Sequence, residues 1–189
     1  ILPTFHVHQD LRAFAMRPQA SSPVPTKRAP AHGTACVDGP ERAVAGIMPV
    51  PFPHHYQTWL VRTLSSRARL EAPPRPMIAG GPPPEFDGDA TSWSPEHMML
   101  SSIGLCLLTT FEAFAARDRI DLVAWEARVG GVVDRTETGL AFTRFQVEVD
   151  MEVGDVARAR TTLEEARRHC LISNALRAPV EVDARIRQA

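Results

Sequence analysis

The chain has 189 residues, a formal net charge of −1, 23% charged and 44% hydrophobic residues, and three cysteines. So even a balance sets up no global field to draw in nucleic acid or an anionic membrane. Three thiols are too few to staple a small secreted scaffold, and the length suits one sizeable core with a tail.

Residues 1–50 carry Pro3, Pro18, Pro23, Pro25, Pro30, Pro40 and Pro49 among scattered Ala, Arg and Ser. No hydrophobic period survives there, so burial cannot offset the entropy of ordering. The expectation is a mostly disordered extension over 1–50, holding Cys36 as a bystander thiol, before a folded domain over 55–187. The chain opens on Ile1, without the basic stretch and apolar core of a signal peptide, and the expected compartment is the cytoplasm.

From His55 the pattern changes. YQTWLVRTL (56–64) is rich in strand formers, and SSRARLEAP (65–73) continues as strand or turn. GGPPPEFDGD (80–89) reads as a loop, because consecutive prolines lack donors and helical freedom. A helix is predicted next. Ser94 suits its N-cap, Pro95 its first position, and Glu96 the positive end of its dipole. It should reach about Arg117. Met98, Met99, Leu100, Ile103, Leu105, Leu107, Leu108 and Phe111 cover most of its circumference, which predicts a central core helix. The apolar run Met98 to Phe111 is too short for a membrane span and is broken by Ser101 and Ser102.

Two strands follow, LVAWEARVGGVVDR (122–135) and AFTRFQVEVDMEV (141–153), joined by a hairpin turn over Thr136–Gly139. A second helix is expected from about Asp155 to Cys170, with Val156, Ala159, Leu163, Ala166 and Cys170 as its apolar stripe. PVEVDARI (179–186) is a last strand. The order is β-β-α-β-β-α-β, an α+β domain with two main helices.

Cys106 lies inside the first helix and Cys170 on the inward stripe of the second, so both face one interior. A lone interior cysteine is usually a small hydrophobe. Two on facing helices could instead be a thiol pair or metal ligands. His97, Cys106, His169 and Cys170 have the ligand types for zinc but not the usual close ligand spacings. A Cys–His acyl-transfer enzyme needs a base and an orienting group, and neither is evident. His169 suits the helix dipole or the surface better than catalysis.

WSPEHMMLSSIGLC (93–106), followed some sixty residues later by RRHCLISNAL (167–176), resembles the OsmC/Ohr family of thiol peroxidases. The family pattern is a Pro-rich loop, then Ser-Pro-Glu opening a central helix, then a cysteine ten residues after the Glu. Here these are Glu96 and Cys106. The second family cysteine closes a later helix and is typically followed by Pro, any residue, Ser, and Asn or Lys. Cys170 is followed by Leu171, Ile172, Ser173 and Asn174, so Leu171 departs from the pattern. The likeness covers about 55–187.

The resemblance implies an OsmC-like fold, two central helices against antiparallel sheets in an intertwined homodimer. It implies a peroxidase for organic or lipid hydroperoxides in oxidative-stress defence. Cys106 would become a sulfenic acid and Cys170 would close a disulfide with it. Because burial alone raises a thiol's pKa, the attacking thiolate needs a nearby cation. The family supplies an Arg from the first hairpin, held by the Glu. Arg62, Arg67 and Arg69 compete for that place, and counting from the Pro-rich loop favours Arg67. No bound cofactor is implied, only an external dithiol reductant of lipoyl type. Met98, Leu105 and Phe111 could line an apolar pocket, although such residues more often serve as core. A non-catalytic member of the same fold, binding a small ligand or sensing redox state, is the alternative.

Overall fold

The computed structural model describes residues 51–63 and 67–189. The extension over 1–50, with Cys36, lies outside the described residues. Strands β1 (Trp59–Arg62), β2 (Ala68–Glu71) and β3 (Ile78–Gly80) form a small antiparallel sheet. A 3₁₀ turn over Pro84–Phe86 lies within the Pro-rich loop. Then come α1 (Pro95–Asp118), β4 (Leu122–Thr136), β5 (Gly139–Val153), α2 (Val156–His169), a short α3 (Leu171–Asn174) and β6 (Val180–Gln188). The strand β3 and the helix α3 are additions to the predicted order.

The second sheet is ordered β4-β5-β6. β4 and β5 pair antiparallel around Glu137 and Thr138, with Thr136 opposite Gly139. Gly139 has φ +118°, a conformation a side chain would strain. β6 pairs parallel to β5, with Phe145 opposite Val180 and Val153 opposite Gln188. This corrects the expectation of purely antiparallel sheets. The chain leaves the end of β5, runs back through α2 and α3, and re-enters beside the start of β5, as a parallel pair requires.

Phe145, Val147, Val149, Met151 and Val153 alternate along β5 and are all buried, while the intervening Gln146, Glu148 and Glu152 face away. Onto this apolar row pack Ile103, Leu107, Phe111 and Ala115 of α1 and Ala159, Leu163 and Ala166 of α2. The two helices are pinned at one end by Arg117, which holds Glu165 at 2.7 and 2.9 Å and Asp118 at 2.7 and 2.8 Å. Thr162 donates to Asp118 at 2.9 Å.

The N-terminus of α1 is as read: Ser94 caps it by accepting from the His97 amide, with Pro95 and Glu96 in the first turn. Its burial is not. Only the stripe Ile103, Leu107, Phe111 and Ala115 is buried, and Leu105 is 62% exposed. An all-round apolar helix lies against one sheet only in this single chain. α1 ends at Asp118, one residue past the expected Arg117, and by length and composition alone it could cross a membrane.

Candidate functional site

Cys106 and Cys170 meet where α1 passes the junction of α2 and α3. Cys106 follows Ile103 of the buried stripe by three residues, which places it on the flank of α1, half-buried. Cys170 is the C-cap of α2 and the N-cap of α3, and is wholly buried. The two thiols are near enough to interact directly. Burial pushes the Cys170 thiol up from its ordinary value. Donors on Ser173 pull it back part-way, and Cys106 raises it again. The Ser173 hydroxyl donates to the Cys170 sulfur at 3.1 Å.

Glu96 sits ten residues before Cys106, about 15 Å along the helix axis. At about 100° per residue, ten residues also turn the helix so that the two positions sit about 80° apart around its axis. The carboxylate cannot touch the thiol at that separation, and a long side chain would have to span the gap. One Glu96 oxygen, Oε2, is buried without a hydrogen-bond partner among the described residues.

Arg67, the favoured cation, is placed elsewhere in the single chain. Its Nε and Nη2 donate to Asp89 Oδ2 at 3.2 and 3.0 Å, and Nη2 reaches Thr91 at 3.4 Å. Asp89 also accepts from the amides of Thr91 and Ser92 at 2.8 and 3.0 Å and from the Thr91 hydroxyl. Those bonds, Thr91's first, hold its carboxyl well below the usual range. Of the competitors, Arg69 lies 3.4 Å from Glu71, and Arg62 lies on β1. The chain therefore brings Cys106 and Cys170 together and leaves Glu96 and Arg67 apart from each other.

Asp89 and Ser173 were both within quoted motifs but were not singled out. The Asp-x-Thr-Ser run is a local signal for a side chain that caps its own loop. Phe111 is fully buried with its ring 5.3 Å from Trp125, and Leu105 borders a groove of about 490 Å³ against β4 whose lining includes neither cysteine. His97 Nδ1 lies 2.8 Å from Ser94 Oγ, and the His169 ring packs edge-on against Phe114. Among the described residues, no three His, Cys, Asp or Glu side chains converge in a way that could hold a metal ion.

A family model described as OsmC-like protein matches residues 87–185, just over half of the chain. The chain belongs to the OsmC-like family. Both thiols, Glu96 and Asp89 fall inside the match; Arg67 lies before it. An uncharacterized Bacillus subtilis protein, YmaD, is 24% identical over 106 residues, covering 53% of this chain and 71% of that protein. An OsmC-like protein of unknown function from Vibrio cholerae superposes with a TM-score of 0.65 at 12% identity, over 70% of this chain and 100% of that one. An organic hydroperoxide resistance protein OsmC from Legionella pneumophila gives a TM-score of 0.55 at 18% identity, over 71% and 99%. The organic hydroperoxide resistance protein OhrB of B. subtilis gives 0.53 at 16%, over 70% and 98%. These structures establish a shared OsmC-like α+β fold. The family includes peroxidases, which suggests a redox role here.

Proposed function

We propose that this protein is a cysteine-based peroxidase that reduces organic or lipid hydroperoxides to alcohols. The observation that carries the reading is the pairing of a half-buried Cys106 with a fully buried Cys170. Cys106 is only partly covered and Cys170 is fully enclosed, so the first is the thiol a hydroperoxide would meet. The raised pKa of Cys170 also keeps it a thiol near neutral pH, so it suits the second step rather than the first.

The Cys106 thiolate attacks one peroxide oxygen and the O–O bond breaks. The alkoxide takes a proton and leaves as the alcohol, and Cys106 becomes a sulfenic acid. Cys170 then attacks that sulfur. Its proton joins the departing hydroxide as water, and a Cys106–Cys170 disulfide remains. An external dithiol of lipoyl type reduces the disulfide in two exchanges and is itself oxidised to a disulfide.

The reading also needs a cation near Cys106. Glu96, with its unpartnered buried oxygen, is suited to orient an Arg in a charge-assisted pair. We assign this cation to Arg67, released from Asp89 and contributed across a homodimer interface. The dimer is supported by exposed apolar side chains: Trp59, Leu60 and Val61 on β1, Leu105 on α1, and Val132 and Leu140 on the β4–β5 hairpin. Exposed apolar side chains that gather into one patch mark interaction surfaces.

The test is consumption of cumene hydroperoxide and of hydrogen peroxide, each with dihydrolipoamide or a monothiol, for the wild type and Cys106→Ser. Faster, dithiol-dependent loss of the organic peroxide that vanishes in the variant is the expected result. Both thiols remaining free after peroxide treatment would overturn the reading and favour a ligand-binding member of the fold.

A further inference from the structure

Ser173 has no part in the scheme above, yet its hydroxyl is placed in an unusual way. Three other helical hydroxyls bond back to the carbonyl one turn earlier, Ser102 to Met99 at 2.7 Å, Thr109 to Leu105 at 3.0 Å and Thr161 to Ala157 at 3.4 Å, while that of Thr162 reaches Asp118. Bonding back is the ordinary fate of such a group. The Ser173 hydroxyl instead donates to the Cys170 sulfur at 3.1 Å. The Cys170 carbonyl accepts from the Asn174 amide at 3.0 Å, and the Asn174 side chain holds the Arg168 carbonyl at 2.9 Å. Asn174 thus secures the α2–α3 junction while Ser173 addresses the sulfur. Ser173 also lines a cavity of about 490 Å³ beside Arg167, Arg168 and Arg177. Ser173 therefore borders both a wholly buried sulfur and open space.

We propose that Ser173 is a positioning residue that stabilises Cys170 as a thiolate, directing the dithiol reductant onto Cys106 and making Cys170 the leaving group. The inference rests on the peroxidase reading. In the disulfide, Cys170 remains buried and Cys106 is the sulfur with an approach. One thiolate of the reductant attacks Cys106, the Cys106–Cys170 bond breaks, and its electron pair goes to Cys170. A mixed disulfide joins the reductant to Cys106. The Cys170 thiolate accepts the Ser173 hydrogen bond until it takes a proton. The reductant's second thiol then closes its own disulfide and frees Cys106. The same bond assists the earlier step, in which Cys170 must act as a nucleophile although burial opposes its charge.

The experiment is stopped-flow and mass spectrometry on the full chain as wild type and Ser173→Ala, with Ser173→Thr and Ser173→Val as an isosteric pair that differs in the hydroxyl. Three steps are followed: Cys106 oxidation by cumene hydroperoxide, sulfenic acid lifetime by dimedone trapping, and disulfide reduction by dihydrolipoamide. Losing a hydrogen bond to a charged sulfur should slow both resolution and reduction about tenfold or more. It should move the pH profile of resolution alkaline by about one unit. Thr should retain these properties, Ala and Val should lose them, and Cys106 oxidation should stay within about twofold, marking an intact fold. Unchanged resolution and reduction rates in Ala and Val overturn the inference, as does a mixed disulfide trapped on Cys170. If wild-type Cys106 is not oxidised at all, the peroxidase reading fails instead.

Discussion

Leu105→Arg is the perturbation that asks most directly whether this chain works alone. Leu105 lies on α1 away from the buried stripe and is 62% exposed. Fully burying a leucine is worth about 1.5–3 kcal/mol, so covering the exposed part is worth about 1–2 kcal/mol. A two-fold interface uses each patch twice, giving about 2–4 kcal/mol in all, or roughly a 30- to 1,000-fold change in dissociation constant. An arginine adds the cost of desolvating its charge, so this is a lower bound. The fold of the single chain should survive, because Leu105 contributes little to its core. Sedimentation velocity over a concentration series, with circular dichroism as the control for helix content, measures both. The expected result is a dimeric wild type and a monomeric, folded variant. A variant as dimeric as the wild type, or a wild type monomeric at micromolar concentration, would refute the reasoning.

Two further outcomes are expected. Arg117 holds Asp118 at about 2 and lowers Glu165, in each case chiefly through its own hydrogen bonds. Carboxylates with depressed folded values add stability above their unfolded values, near pH 4, which is lost as pH falls toward 2. The melting temperature of Arg117→Ala should therefore be lower at neutral pH and fall less steeply between pH 4 and 2. Parallel curves for the two proteins would remove that clamp from the account. For Glu96→Gln the sign of the stability change is informative. If a guanidinium from another chain covers the buried oxygen, removing the charge should destabilise the protein and slow Cys106 oxidation. A gain in melting temperature, with oxidation unchanged, would show that no such partner arrives.

The elements most legible in the sequence were those encoded locally. Ser94-Pro95-Glu96 marks a helix start by chemistry that acts within one turn, and Thr136–Gly139 marks a two-residue hairpin in the same way. The alternation along β5 and the stripe of α2 follow from periodicity alone. Strand direction is not encoded so. Val180–Gln188 alternates equally well in parallel or antiparallel pairing, and its direction is set by the path through α2 and α3. The burial of α1 was misjudged for a related reason: an apolar residue does not say whether its own chain or another covers it. Cys106 and Cys170 were legible as neighbours because the stripe of α2 ends on Cys170 and Cys106 lies in the middle of the apolar helix α1. Arg67 had no such constraint, because its partner Asp89 is chosen by a loop bonded to itself through Thr91 and Ser92.

The geometry of α1 accounts for the unequal thiols. A helix advances about 100° per residue, so Cys106 falls beside the stripe of Ile103 and Leu107 rather than within it. A cysteine on the stripe would be dry but unreachable; one on the outward side, near Leu105, would be reachable but set in water and far from Cys170. On the proposed peroxidase reading, the flank would leave the sulfur partly open to substrate while keeping it beside Cys170. Cys170 takes the opposite assignment at a helix junction, where its backbone is fixed by Asn174 and its sulfur by Ser173. Among the described residues, the arginines expected to serve that flank lie on or beside the first sheet, with Arg67 bonded to Asp89 and Arg69 near Glu71. On the proposed reading, a second copy that covered the exposed side of α1 would also be the source of the guanidinium that Glu96 is suited to hold.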